Sequence, residues 1–174
     1  MYNDDNNGKY ALLAALFAML LFTLVSCGKQ MAELRGSAHD IAFRVYAQAG
    51  VDTHNMSEEE LLPESSYMLG ISEESFRKNV DSAHLFRPNE LSAAQSLCVV
   101  VAKNAPCAEA VYAEMKEGYD WAPCDPASAA VFMIYGNCIL LAKSDESGAR
   151  ALSAAFDGET RGGARSDFSG NPMG

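Results

Sequence analysis

Two apolar runs meeting at a Gly-Asn pair constrain this chain more than any other feature. Ala129 to Tyr135 contains Val131, Phe132, Met133 and Ile134, and Cys138-Ile139-Leu140-Leu141-Ala142 follows, with Gly136-Asn137 between them. Two strand-forming runs around such a pair predict a β-hairpin, and so an antiparallel sheet. A third run, Leu97-Cys98-Val99-Val100-Val101-Ala102, is short, continuous and bounded by polar residues. It reads as a strand covered on both faces, and so a central one. A weaker first strand is expected within Val80 to Phe86, from Ala83, Leu85 and Phe86, with a turn at Pro88-Asn89. Leu91 to Ser96 fits either a helix or a strand.

Between and around these runs the period changes from two to about 3.6. Leu34, Ala38, Ile41, Val45 and Ala49 recur at steps of three and four, and predict a helix over about 31–49 that stops at Gly50. Asn104-Ala105-Pro106 opens another, whose stripe is Ala108, Val111, Tyr112, Met115 and Tyr119. Ser72-Glu73-Glu74-Ser75 opens a shorter one. Ser144 is expected to cap a last helix over about 145–156, with Ala149, Leu152, Ala155 and Phe156 inward. Past Phe156 the large apolar residues are Phe168 and Met173, among five glycines. Such a segment is expected to stay disordered. The order predicts an α+β fold: a small, mostly antiparallel sheet with amphipathic helices packed on one face, in a single domain over 34–156 and a Gly-rich tail over 157–174.

The amino-terminal segment sets location. Met1 to Lys9 is mostly polar, and Tyr10 to Val25 is an apolar stretch of 16 residues, short of the roughly 20 expected of a spanning helix. Leu24-Val25-Ser26-Cys27 ends it. A polar leader, a short apolar run and small residues before a cut site make a secretory signal, although Asp4 and Asp5 against a lone Lys9 are unusual there. The Leu-Val-Ser-Cys ending resembles the bacterial lipobox, in which the cysteine thiol takes a diacylglycerol and the chain is cut just before it. Residues 1–26 are then a lipoprotein signal peptide, Cys27 is the lipidated terminus, and 27–33 is a tether; an ordinary secretory signal or an uncleaved membrane anchor is the alternative. Buried methylenes contribute about 0.8 kcal/mol each, so two or three acyl chains hold a protein at the membrane.

Charge excludes one class of partner. The chain carries 13 Lys+Arg and 23 Asp+Glu. Without Lys9, Asp4 and Asp5 the remainder has 12 basic and 21 acidic residues, a net of −9. Nucleic acid needs a basic footprint, so no nucleic-acid role is expected.

Besides Cys27 there are Cys98, Cys107, Cys124 and Cys138. Export permits disulfides. Of the three complete pairings, Cys98–Cys138 across the sheet and Cys107–Cys124 around one helix are the candidates. The second loop would contribute about 3 kcal/mol by chain entropy. Four idle thiols are the alternative.

No catalytic set stands out. There is no GxSxG and no Gly-rich phosphate loop. His39, His54 and His84 fall in a helix, a loop and a strand, and read as ordinary, partly exposed histidines. Ser57-Glu58-Glu59-Glu60 reads as a capping box opening a solvated helix, with its carboxylates pointing apart. No metal, cofactor or catalytic residue is expected.

Several stretches together resemble a known family. After the lipobox and the first helix come Tyr67-Met68-Leu69-Gly70-Ile71 before Ser72-Glu73-Glu74, the strand from Leu97 to Lys103 leading into the helix from Cys107 to Glu117, Tyr135-Gly136-Asn137 before Cys138-Ile139-Leu140-Leu141-Ala142, and Ser144-Asp145. Over roughly Leu34 to Phe156 this layout resembles the bacterial lipoproteins of domain of unknown function 4358, common in Gram-positive bacteria. The resemblance implies a lipid-anchored extracytoplasmic α+β domain, held at the cell membrane through Cys27, and implies no catalytic or binding residue. The functional expectation is a non-enzymatic module that binds or supports a protein partner at the cell surface. A small-ligand or cation-binding receptor is second, and a cell-envelope enzyme third.

Overall fold

A computed structural model describes residues 33–89, 95–119 and 127–170. Cys27, Cys124, residues 1–32 and most of the segment Leu91 to Ser96 lie outside them. No helix among the described residues is long and apolar enough to cross a membrane.

The fold is α+β, with helices packed against a six-stranded antiparallel sheet. In chain order come α1 (Ala38–Ala49), β1 (Met56–Glu60), a 3-10 helix (Pro63–Leu69), α2 (Glu73–Asn79), β2 (Val80–Pro88), β3 (Ser96–Ala102), α3 (Ala105–Gly118), β4 (Ala129–Tyr135), β5 (Cys138–Ser144), α4 (Glu146–Glu159) and β6 (Arg165–Gly170). The sheet order is β1-β2-β3-β5-β4-β6. The β4–β5 hairpin turns at Gly136-Asn137 as expected, with Tyr135 opposite Cys138. β3 lies inside the sheet, between β2 and β5.

Helices cover both faces rather than one. α1 and α4 pack on the face that carries Phe86, Val99, Leu140 and Met133. α2 and α3 lie on the other, with Ala83, Val100, Leu141 and Phe132. Strand alternation is the reason: in β3, β4 and β5 both sets of alternate residues are apolar, so each face needs a cover. The continuous runs legible in the sequence therefore serve two cores that share one sheet.

Four elements depart from the sequence expectations. α1 starts at Ala38, not near 31, because Gly36 has φ 108° and Ser37 caps the helix by accepting from the Asp40 amide. Glu58-Glu59-Glu60 is not a helix start. It is part of β1, an edge strand in register with β2 (Glu58 opposite Phe86, Glu60 opposite His84). The tail is not disordered over 165–170: β6 pairs with β4, Val131 opposite Phe168, and α4 runs to Glu159 with Asp145, not Ser144, as its cap.

One close approach ties the 3-10 helix to α3. A Cβ on Gly118 would lie 2.1 Å from the Gly70 carbonyl oxygen, and one on Gly70 would lie 2.6 Å from the Gly118 carbonyl carbon. Gly70 also has φ +71°, ending the 3-10 helix in the left-handed region. Two backbones meet here where no side chain fits.

Candidate functional site

Three polar side chains from three elements converge at the β1 edge of the sheet. α1 supplies His39, in its first turn. β1 supplies Glu58, and β2 supplies His84. Pairing explains the convergence. Glu58 is opposite Phe86, so both point to the face covered by α1, and His84, two residues before Phe86, points there too. The Ser37–Asp40 capping box sets the entry of α1 and so places His39 above them.

The geometry is tight. His39 Nδ1 lies 2.6 Å and His84 Nδ1 2.9 Å from the same oxygen, Glu58 Oε1. Each N–H can donate to that carboxylate. The two imidazoles stand 5.9 Å apart at 72°. Phe43, one turn along α1, lies against His39 at 4.6 Å between ring centroids, and Phe86 lies beneath at 6.2 Å. The site is open: the side chains of His39, Glu58 and His84 are 41%, 34% and 17% exposed. Partial burial pushes the Glu58 carboxyl up, but hydrogen bonds and charge from His39 and then His84 outweigh it and leave it below its ordinary value.

All three donor atoms lie within 4.8 Å of one another, a group that can hold a metal ion. Two imidazole nitrogens and one carboxylate oxygen form a mixed nitrogen–oxygen set, suited to borderline cations such as zinc(II). The sequence alone puts His39 in a helix, His84 in a strand and Glu58 at a helix start, and does not bring the three together. Sequence separations of 19 and 26 residues hide the contact. The available signal was the alternation Met56-x-Glu58-x-Glu60, which fits a strand as well as a cap. His54 stays outside the group, exposed and hydrogen-bonded to Asp52 within its own loop.

The cysteines fall differently from the expected pairing. Cys98 faces the α2–α3 side and Cys138 the α1–α4 side. In the β3–β5 register Cys98 is opposite Leu141 and Cys138 opposite Val101. An odd offset along a strand puts side chains on opposite faces, so a Cys98–Cys138 bridge does not form. Both thiols are free and buried, and burial pushes each up to about 12. Cys107 is free and half-buried. Its expected partner, Cys124, lies outside the described residues.

A second polar cluster joins α3 to β6. Tyr112 Oη donates to Asp167 at 2.7 Å, Lys116 Nζ to the same carboxylate at 2.6 Å, and Arg165 to Glu109 at 2.7 Å. Every charge in it has an opposite partner, so it reads as a fastening for β6.

Compared with models of known protein families and with curated proteins, the chain matches none.

Proposed function

We propose that this chain is a lipid-anchored protein of the extracytoplasmic membrane face that acts by binding. Leu24-Val25-Ser26-Cys27 carries that reading. Cleavage before Cys27 leaves ten residues between the lipid and Ser37, the cap of α1. At about 3.5 Å per extended residue, that tether keeps His39 within about 40 Å of the bilayer. Of the binding roles, the receptor for a small cationic ligand is better supported than the protein-partner module. The reason is the convergence of His39, Glu58 and His84 on an open surface, in a body with a net charge of −9 that concentrates cations around it. The partner-binding role has its own support: Leu62 and Tyr67, 55% and 76% exposed around the 3-10 helix, present apolar surface to solvent. The lipoprotein family named above is proposed on sequence layout alone.

Intact mass of the protein extracted from native membranes, beside a Cys27→Ala variant, tests the anchored reading. A chain that begins at Cys27 and carries acyl mass, with both features lost in the variant, is the expected result. A chain cut elsewhere, or one still holding residues 1–26 without lipid, overturns it.

A further inference from the structure

We infer that His39, Glu58 and His84 are the ligands of a d-block dication of the zinc(II) class, bound through the two Nδ1 atoms and Glu58 Oε1. The inference rests on the receptor reading and names its ligand class. Three observations carry it. First, the donor set: oxygen-seeking calcium and magnesium take carboxylates, carbonyls and water, whereas two imidazoles favour borderline transition ions. Second, the geometry: three donor atoms lie within 4.8 Å of one another. Around a tetrahedral ion with bonds of about 2.0–2.2 Å, donors stand roughly 3.4 Å apart. The present 2.6 and 2.9 Å separations need to open by less than about 1 Å. Side chains 41% and 34% exposed at His39 and Glu58 can make that adjustment by rotation. Third, the surroundings: Phe43 and Phe86 flank the His39 imidazole, while the outer side of the group faces solvent.

Proton balance is simple. Ligation requires each Nδ1 to be bare, so each neutral imidazole carries its proton on Nε2 instead, and the two hydrogen bonds to Glu58 give way to three bonds to the ion. Nitrogen, nitrogen and oxygen fill three positions. The fourth is open to water or to a donor brought by another molecule, as in zinc sites that exchange ligands. Because the ligands come from α1, β1 and β2, the ion also clasps the first turn of α1 to the outer edge of the sheet. That turn is the one nearest the anchor in sequence.

Titration of the full chain in detergent with zinc(II), cobalt(II), calcium and magnesium tests this, alongside Glu58→Gln, His84→Gln and the control His54→Gln. The expected result is one equivalent of zinc or cobalt, with an intense cobalt d–d absorption of low-coordinate type. Affinity should fall on the order of tenfold or more in Glu58→Gln and His84→Gln and should not change in His54→Gln. Circular dichroism checks that each variant is folded. If Glu58→Gln folds poorly, His84→Gln and His39→Gln decide, since both imidazoles are more than a tenth exposed. Zinc bound equally by wild type and variants would mean that other groups hold it, and overturns the inference while leaving a cation receptor standing. Calcium or magnesium bound in place of zinc has the same consequence. Failure of every cation to bind overturns both the inference and the receptor reading.

Discussion

Tyr46 carries a polar atom into an apolar core. It lies on α1, fully buried, with its ring 5.8 Å from that of Phe86. Its hydroxyl is buried and finds no hydrogen-bond partner among the described residues. Burial also raises its phenol above the ordinary value. The ring contributes apolar contact, while the hydroxyl has given up water without a replacement, at a cost of about 1–3 kcal/mol. Tyr46→Phe keeps the ring and removes that cost, so it should be neutral or stabilising by about 1 kcal/mol. In a domain of this size that is a rise of roughly 2–4 °C in Tm, read by thermal unfolding. A fall of similar size would show that the hydroxyl is satisfied in solution. The same scale shows where the sequence was hard to read. His39, Glu58 and His84 were visible as residues, but their meeting depends on strand pairing between β1 and β2, which no local pattern of those residues encodes.

At the level of elements, the two misread strands are the two edges of the sheet. β1 contains Glu58-Glu59-Glu60, poor strand formers by preference. Its five residues pair along β2, and Met56 adds a contact to the α1–α4 core. β6 is Gly-flanked and polar, so local sequence predicted disorder. Pairing with β4 covers what would otherwise be an unpaired edge of an apolar strand. Central strands were legible because burial on two faces writes itself as a continuous apolar run. Edge strands are written mainly by their neighbours. The fastening of β6 has a pH dependence whose sign is fixed. Hydrogen bonds from Lys116 and then Tyr112 hold the Asp167 carboxyl below its ordinary 3.8, with the Arg165 charge adding to them. A group depressed in the folded state stabilises fully above its unfolded value, and that contribution is lost as pH falls through the folded one. Asp167→Asn should therefore lower the urea midpoint at pH 7, and the gap to wild type should close as pH falls below 3.8. A gap that does not change with pH would mean that the loss comes from packing instead of the charge.

Across the whole molecule, one sheet serves two cores, and the question is whether they unfold together. The two buried thiols are built-in reporters. Cys98 sits in the core under α2 and α3, Cys138 in the core under α1 and α4, and they are 2% and 0% exposed. Only the thiolate reacts, and burial holds both thiols near 12. Neither can be labelled without an opening of its own face. β3, β4 and β5 present side chains to both cores, so an opening that strips the helices from one face also removes support from the strands facing the other. This coupling predicts a single cooperative unit. Labelling with a maleimide under native conditions, with sites resolved by peptide mass, should modify half-buried Cys107 before either buried thiol. Cys98 and Cys138 should follow together, at a common rate that rises with urea as global unfolding does. If Cys138 reacts much faster than Cys98, the α1–α4 face opens as its own unit. The face that bears His39 would then be the more mobile of the two, and zinc(II), by clasping α1 to β1 and β2, should slow Cys138 labelling selectively.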